Sequence, residues 1–394
     1  MRKICANRIY PIYSEPIENG IVVIDDDGKI LSIEEEGTFP EEELEKHEGA
    51  ICPGFINTHC HLELSHMKGV IEEGTGLIDF ITKVISLRDF PKEVISESIV
   101  QAEKEMVDNG VVAVGDISNG TDSFFQKAKG NIRYHTFVEC FDFLNEDRTE
   151  DTIKNALSVY DQVPTVKGHS KSISPHAPYS CSRSLFKKLA EQCLEQQAPM
   201  SIHNQETLAE DHFIREKKGD FIQFYGNLGI DIDHFHPELD SSLCYSLKNL
   251  KYGNKVLLVH NTNSGLDDIQ YAQNYIDDLY WAFCPNANVY IENTVPDFKL
   301  FHLQGARITI GTDSLSSNWQ LNVLEELKVI QKYAAEIDLN TLLTWATKNG
   351  AECLGFESQL GTLEEGKVPG LNLLTLDPGE NFRLTNRVEV KKLA

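Results

Sequence analysis

Along the middle of the chain, short apolar runs alternate with longer segments whose apolar residues recur every three or four positions. The runs are typical of buried strands, and the longer segments, such as 182–196 and 322–337, are typical of amphipathic helices. Eight strands are predicted here: 51–58, 111–117, 132–139, 171–174, 199–203, 256–260, 280–284 and 307–312. This alternation predicts an α/β protein built as a (β/α)8 TIM barrel, with a doubly wound sheet as the alternative.

Both ends of the chain have a different, strand-rich pattern. Residues 21–35 contain an apolar run, an Asp-Asp-Gly turn and a second, partly alternating run, which together predict a hairpin. Near the other end, 360–378 has glycine turns around an apolar run, and 387–393 alternates. We therefore expect the two termini to build one small β-sandwich from residues 1–51 and 357–394, beside a barrel spanning 52–356.

The charge of the chain limits its partners. Its 394 residues include 36 Lys and Arg against 61 Asp and Glu, a formal net charge of −25. This acidic excess argues against nucleic acid and anionic membrane as partners, because nothing neutralises their phosphates. A small-molecule substrate is compatible with it, and so is a homo-oligomer.

The cysteines indicate the compartment. Nine of them are scattered along the chain without a Cys-x-x-Cys pair, a pattern typical of reduced thiols rather than of a disulfide framework or a zinc ribbon. The sequence has no apolar core of a signal peptide and no apolar run of about 18 residues. We therefore expect a cytoplasmic protein.

Polar side chains follow the predicted strands at the ends where barrel enzymes hold their active sites. His59 and His61 end the first of these strands, and in an extended chain both imidazoles point to one face while Cys60 points away. Each polar residue alone is more often structural, but together they predict a shared site. The others are His176, His203 with Glu206, His260 and Asp313.

Three imidazoles and one carboxylate suit a single divalent metal ion, most commonly Zn²⁺, with Fe²⁺ also acceptable. Such an ion lowers the pKa of bound water from about 15.7 to near 7. A carboxylate must then move protons, and Glu206 lies just after a ligand strand. His176 ends the fourth barrel strand and Lys171 lies at its start, so a lysine bridging two metals is not expected and one metal is favoured.

Six segments resemble the metal-dependent amidohydrolase superfamily: PGFINTHCHLELS (53–65), SPHAPYS (174–180), HNQET (203–207), VHNT (259–262), CPNAN (284–288) and GTDSLSSN (311–318). They are most similar to the branch that holds S-adenosylhomocysteine and adenosine-type deaminases, triazine hydrolases and aminodeoxyfutalosine deaminases. The resemblance implies a distorted (β/α)8 barrel with a sandwich made from both termini.

The resemblance also implies the role of each site residue. Glu206 would transfer protons, His260 would hydrogen-bond the attacking hydroxide or the oxyanion, and His176 would contact substrate. Asp313 would also act as a base. The implied reaction is attack of a metal-bound hydroxide on an amine-bearing ring carbon of an N-heterocycle such as adenosine or aminodeoxyfutalosine, with loss of ammonia. The metal ligands would be His59, His61, His203 and Asp313.

Other functions are compatible with the same site. A chlorohydrolase or a cyclic amide or amidine hydrolase would use the same residues, and a non-catalytic small-molecule-binding protein would keep the fold alone. Phe80 and Arg88 weakly resemble part of a pattern found in aminodeoxyfutalosine deaminases.

Several other polar residues have a structural interpretation beside a functional one. The irregular stretch 225–242 is predicted as a lid over the barrel mouth. His234 and His236 lie in its acidic loop, 231–240, which is interpreted as a solvated loop rather than as a second metal site. Asp116 and Glu139 end the second and third barrel strands, and each is expected either to meet substrate or to form a structural salt bridge.

Overall fold

The computed structural model describes residues 1–236, 240–376 and 383–394. Its strands are β1 (Arg2–Ile9), β2 (Ile17–Glu18), β3 (Ile21–Ile24), β4 (Ile30–Glu34), β5 (Glu45–Pro53), β6 (Phe55–Cys60), β7 (Val111–Ser118), β8 (Arg133–Cys140), β9 (Ser170–Pro175), β10 (Pro199–Asn204), β11 (Lys255–His260), β12 (Asp278–Phe283), β13 (Ile308–Ile310), β14 (Leu371–Leu374) and β15 (Val390–Lys392).

The α-helices of the described residues are α1 (Leu77–Leu87), α2 (Lys92–Asp108), α3 (Phe124–Lys127), α4 (Thr149–Tyr160), α5 (Arg183–Gln196), α6 (Leu208–Glu216), α7 (Asp220–Asn227), α8 (Ser242–Leu247), α9 (Leu266–Tyr275), α10 (Pro285–Glu292), α11 (Phe298–Leu303), α12 (Val323–Tyr333), α13 (Leu339–Ala346) and α14 (Lys348–Leu354). Short 3-10 helices cover Glu41–Glu43, Leu62–Met67 and Glu146–Arg148. None of these helices is long and apolar enough to cross a membrane.

The middle of the chain forms two four-stranded parallel sheets, each in chain order: β6-β7-β8-β9 and β10-β11-β12-β13. Helices separate consecutive strands, as the alternating pattern predicts. Every residue of β6 and of β10 is buried, because parallel strands are covered on both faces. The mixed α/β character of the prediction is confirmed.

Hydrogen bonds connect the edges of the two sheets at both seams. Between β9 and β10, the His203 N–H donates to the His176 carbonyl at 2.9 Å. At the other seam, the N–H groups of Thr312 and Asp313 donate to the His59 carbonyl, each at 3.0 Å. The carboxyl ends of β6 and β10 are thereby held against the opposite sheet, while closure into a single barrel stays a prediction.

The first predicted strand, 51–58, is two strands in the structure. β5 ends at Pro53 in a different sheet, and β6 begins at Phe55. Gly54 separates them, and a Cβ at this position would lie 2.3 Å from Val112 Cγ1 and 2.7 Å from the Pro369 carbonyl oxygen. A continuous apolar run does not reveal such a change of sheet, because both halves are buried.

The two chain ends share one seven-stranded sheet, in the order β15-β14-β5-β1-β3-β4 with β2 paired to β1. The antiparallel pair β14–β5 joins the termini, with Leu371 opposite Pro53 and Leu374 opposite Ala50. The predicted hairpin is the antiparallel pair β3–β4. The prediction that the termini meet agrees with this sheet; a second layer stays a prediction, and residues 377–382 lie outside the described part of the chain.

A buried ion pair joins β7 of the first parallel sheet to α3. The Lys127 ammonium is 2.6 Å from an Asp116 carboxylate oxygen, and both side chains are at most 1% exposed. The ammonium also bonds to Ser118 Oγ at 3.0 Å and Thr136 Oγ1 at 3.1 Å. The other Asp116 oxygen accepts the Leu62 N–H at 2.8 Å. The structural interpretation of Asp116 is therefore the correct one.

Replacing Lys127 with Met should lower the free energy of unfolding by about 3–5 kcal/mol, because it leaves the buried Asp116 carboxylate without its cation. Urea unfolding measures this. The exposed Lys129 provides the control, since Lys129→Met should change stability by no more than about 0.5 kcal/mol. Equal unfolding midpoints for the two variants would contradict a structural role for the pair.

Candidate metal centre and active site

The end of β6 places two histidines on one face of the strand. The Nε2 atoms of His59 and His61 are 3.2 Å apart, as alternation along an extended strand predicts. Cys60, between them, packs into the hydrophobic core. The His59 ring is inaccessible to solvent, whereas His61 lines a cavity. The pair therefore presents two ring nitrogens to a single point.

Asp313 completes this cluster from the segment after β13. Its Oδ1 atom lies 3.6 Å from His59 Nε2 and 3.4 Å from His61 Nε2. The Ser317 hydroxyl donates to the other oxygen, Oδ2, at 2.5 Å. This bond turns Oδ1 towards the two histidines. Ser317 lies four residues beyond Asp313 in the same motif, but its residue type alone does not predict this role.

His203, at the end of β10, supplies the third imidazole. Its Nδ1 lies 3.0 Å from the His176 carbonyl and donates to it, which leaves Nε2 as the unprotonated nitrogen. The ring centroids of His203 and His59 are 4.8 Å apart. Candidate ligand atoms of His59, His61 and His203 all lie within 4.8 Å of one another.

The donor set fits a divalent metal ion. Tetrahedral zinc with bonds of about 2.0–2.1 Å places neighbouring ligand atoms about 3.3 Å apart, and the three measured separations among His59, His61 and Asp313 are 3.2, 3.4 and 3.6 Å. Burial lowers the pKa of His59 and of His203 to about 3. Both imidazoles are therefore neutral, the form that binds metal.

Glu206 lines the cavity beside this cluster. Its side chain is buried, and its Oε1 atom is 3.7 Å from His260 Nε2. Burial, and then the charge of Asp313, raise the pKa of Glu206 well above its usual value, as suits a group that gives and takes a proton near neutral pH. The Glu210 carboxylate accepts the Glu206 N–H at 3.3 Å, which fixes the turn carrying Glu206.

His260 is the last residue of β11 and faces Glu206. Asn288 Nδ2 lies 3.3 Å from its Nδ1 atom, so His260 is braced on the side away from the cavity.

Left-handed backbone, unusual for residues with a side chain, recurs where these strands end. Gln205, His260, Asn261 and Asp313 have φ values of +44°, +71°, +56° and +57°.

His176 reaches the same cavity from the end of β9. Its Nδ1 is 2.7 Å from Ser180 Oγ, and its ring centroid is 4.8 Å from that of His203. Lys171 lies near the opposite end of β9, where its ammonium donates to the Tyr160 carbonyl at 2.6 Å, remote from the cluster as predicted. The structure thus brings all seven predicted site residues together: His59, His61, His176, His203, Glu206, His260 and Asp313.

The cavity above the cluster has a volume of about 450 Å³, within the ~300–1,000 Å³ of small-molecule sites. Its wall is mostly apolar, and it includes both Phe80 and Arg88 from the α1 region. Arg88 lies 3.6 Å from the buried carboxylate of Glu63. The apolar lining comes from Leu64, Leu77, Phe80, Ile81, Val84, Ile85, Phe141, Phe143, Phe224, Leu228 and Ile230.

The predicted lid stretch contributes part of this wall. Leu228 and Ile230 line the cavity, whereas residues 237–239 lie outside the described part of the chain. His234 Nε2 lies 2.9 Å from the Leu144 carbonyl. Among the described residues, neither His234 nor His236 belongs to a group able to hold a metal ion.

Comparison with known proteins identifies the class. The model of the amidohydrolase family matches residues 50–393, and the chain therefore belongs to that family. This confirms the predicted class, a metal-dependent hydrolase. Among relatives, a 5-methylthioadenosine/S-adenosylhomocysteine deaminase of Bacillus cereus (strain AH820) is 25% identical over 396 residues, which cover 96% of this chain and 85% of that protein.

Solved structures show the same fold. Helicobacter pylori aminofutalosine deaminase in complex with methylthio-coformycin superposes with a TM-score of 0.83 at 21% identity, over 100% of both chains. The atrazine chlorohydrolase of Arthrobacter aurescens TC1, complexed with zinc, gives a TM-score of 0.74 at 18% identity, over 96% of this chain and 88% of that one.

Proposed function

We propose that this chain is a mononuclear metal-dependent hydrolase that deaminates an amino-substituted purine nucleoside or a similar N-heterocycle. The observation that carries the proposal is the convergence of three imidazoles and a carboxylate beside Glu206 and His260, under an apolar cavity. The deaminases among its relatives support this class of substrate.

His59, His61, His203 and Asp313 would hold one divalent ion, with zinc preferred and Fe²⁺ acceptable for this donor set. Zinc in a structure of the same fold supports this choice. When bound, such an ion lowers the pKa of water and so supplies a nucleophile at neutral pH.

The chain's own residues would handle the protons. Glu206, with its raised pKa, accepts a proton of the attacking water and delivers it to the ring nitrogen next to the reacting carbon. A second transfer through Glu206 lets the amine leave as ammonia. His260, 3.7 Å from Glu206, hydrogen-bonds the oxygen that becomes negative. Asp313 orients the water and serves as a base, while His176 contacts the substrate.

We also propose that the two parallel sheets close into one distorted (β/α)8 barrel, residues 52–356, with a β-sandwich from 1–51 and 357–394. The seam bonds at His59 and His203 support closure. The nine cysteines, all within the described residues and all free, support a location in the cytoplasm.

Ammonia release from zinc-loaded protein tests the function. We expect turnover of at least one of adenosine, 5-methylthioadenosine, S-adenosylhomocysteine and aminodeoxyfutalosine, with free guanine a poorer substrate. Glu206→Gln protein purified in parallel measures any contaminating deaminase. Chloride release from a chlorinated triazine, or ring opening without ammonia, would instead support one of the rival hydrolases. Binding without turnover of any compound would support a non-catalytic protein.

A further inference from the structure

Glu139 is a buried carboxylate that the proposed proton transfers do not use. It lies near the end of β8, lines the cavity beside His176, and its side chain is only 4% exposed. Around it the wall is largely apolar, as at Phe141 and Phe143. A carboxylate in such surroundings is costly unless its oxygens are hydrogen-bonded.

Among the residues that the structure describes, one oxygen of the Glu139 carboxylate has a hydrogen-bond donor. Its Oε2 atom accepts a hydrogen bond from Asn119 Nδ2 at 2.9 Å. Asn119 is in turn fixed by its N–H, which donates to Glu63 at 3.1 Å. The other oxygen, Oε1, is 3.6 Å from His203 Nδ1, but that nitrogen donates to the His176 carbonyl at 3.0 Å. Oε1 therefore keeps free acceptor capacity towards the cavity.

His176 places a second polar atom beside this oxygen. Its Nδ1 is engaged by Ser180 Oγ at 2.7 Å, which leaves Nε2 for a ligand. Candidate ligand atoms of Glu139, His176 and His203 lie within 4.8 Å of one another. A metal ion is disfavoured there, because the His203 nitrogen on that side carries a proton held by the His176 carbonyl.

We propose that Glu139 and His176 together bind the two neighbouring hydroxyl groups of a ribose, and so restrict the enzyme to ribonucleosides. This rests on the proposed function. A hydroxyl group both donates and accepts, so one hydroxyl donates to Glu139 Oε1 and the next pairs with His176 in either tautomer of that ring. Asn119 orients the carboxylate through its side-chain amide and itself lines the cavity.

Calorimetric binding tests this subsite in zinc-loaded Glu206→Gln protein, in which turnover does not interfere. Adenosine should bind about 10- to 100-fold more tightly than 2′,3′-dideoxyadenosine, since hydrogen bonds to a charged group contribute about 1.5–3 kcal/mol. Adding Glu139→Gln should lower the ratio of the two dissociation constants to a few-fold, because His176 still pairs with the second hydroxyl. Adding Glu146→Gln, an exposed residue beyond the same strand, should leave the ratio unchanged.

Zinc content is measured in every variant and should stay at about one equivalent per chain. The proposal is overturned if adenosine does not bind, if the two nucleosides bind equally before Glu139 is changed, or if Glu139→Gln weakens both equally. In the last case Glu139 supports His203 instead. Each of these results is compatible with deamination by the unmodified enzyme. If the two nucleosides bind with different affinities but the unmodified enzyme releases no ammonia, the proposed function is rejected and the ribose subsite is retained.

Discussion

Glu206→Gln is expected to lower kcat for ammonia release by at least ~10²-fold, while zinc content remains at about one equivalent per chain. Glutamine has nearly the size of glutamate, so the buried space beside His260 stays filled. It cannot accept a proton from water or deliver one to a ring nitrogen. Because Glu206 is outside the group of ligand atoms around His59, its replacement should leave the metal in place.

The matched control is Glu216→Gln, at the exposed end of α6, which should have unchanged kcat and metal content. Removing a glutamate at the exposed end of the helix that follows Glu206 thus separates loss of the proton carrier from a change in overall charge. Turnover of Glu206→Gln at the rate of the control would show that another group moves the proton. Loss of zinc in this variant would make Glu206 a support of the metal centre instead.

The main site residues could be predicted because each follows a strand and carries distinctive chemistry. The prediction of His59 and His61 rests on the alternation of side chains along an extended strand. The prediction of Glu206 rests on its position after a strand that carries a metal ligand. Other supporting residues could not be found in this way. Asn119, which orients Glu139, depends on Glu63, 56 positions earlier in the chain.

Asp116 and Glu139 illustrate the limit of pattern alone. Both end neighbouring strands of one parallel sheet, and the sequence leaves both with the same two interpretations. The structure separates them because the Lys127 ammonium lies 2.6 Å from Asp116, whereas Glu139 has Asn119 for its partner and faces the cavity. The length of the Lys127 side chain and the place of α3 decide this, and neither follows from spacing along the chain.

Most strands of the fold could also be predicted from the sequence, whereas the pairing of distant strands could not. The eight apolar runs correspond to β6–β13, except that Gly54 divides the first run between two sheets. The hairpin β3–β4 follows from its turn residues, since the Asp25 carboxylate accepts the N–H groups of Asp27 and Lys29, each at 2.9 Å. The pairing of β14 with β5 joins residues over 300 positions apart, which local periodicity does not encode.

His61→Ala is expected to abolish both metal retention and turnover. It removes one of the ring nitrogens that face Asp313 Oδ1 at 3.4–3.6 Å, and the three remaining protein ligands hold the ion less tightly than four. Metal analysis after dialysis should find a small fraction of the zinc in the unmodified protein. Thermal unfolding gives a second readout, because zinc at ~1,000 times its Kd stabilises a folded protein by about 4 kcal/mol; the variant should lack this gain.

Ser317→Ala should have an intermediate effect, since it removes the hydroxyl that holds Asp313 Oδ2 at 2.5 Å and leaves all four ligands present. Loss of such a supporting hydrogen bond typically weakens metal binding about 10- to 100-fold. Ser316→Ala is the matched control, because the Ser316 hydroxyl bonds to Ser314 rather than to Asp313. A graded order, with His61→Ala weakest, Ser317→Ala next and Ser316→Ala unchanged, is expected only if zinc is held where these side chains converge. Zinc retained by His61→Ala would place the metal elsewhere.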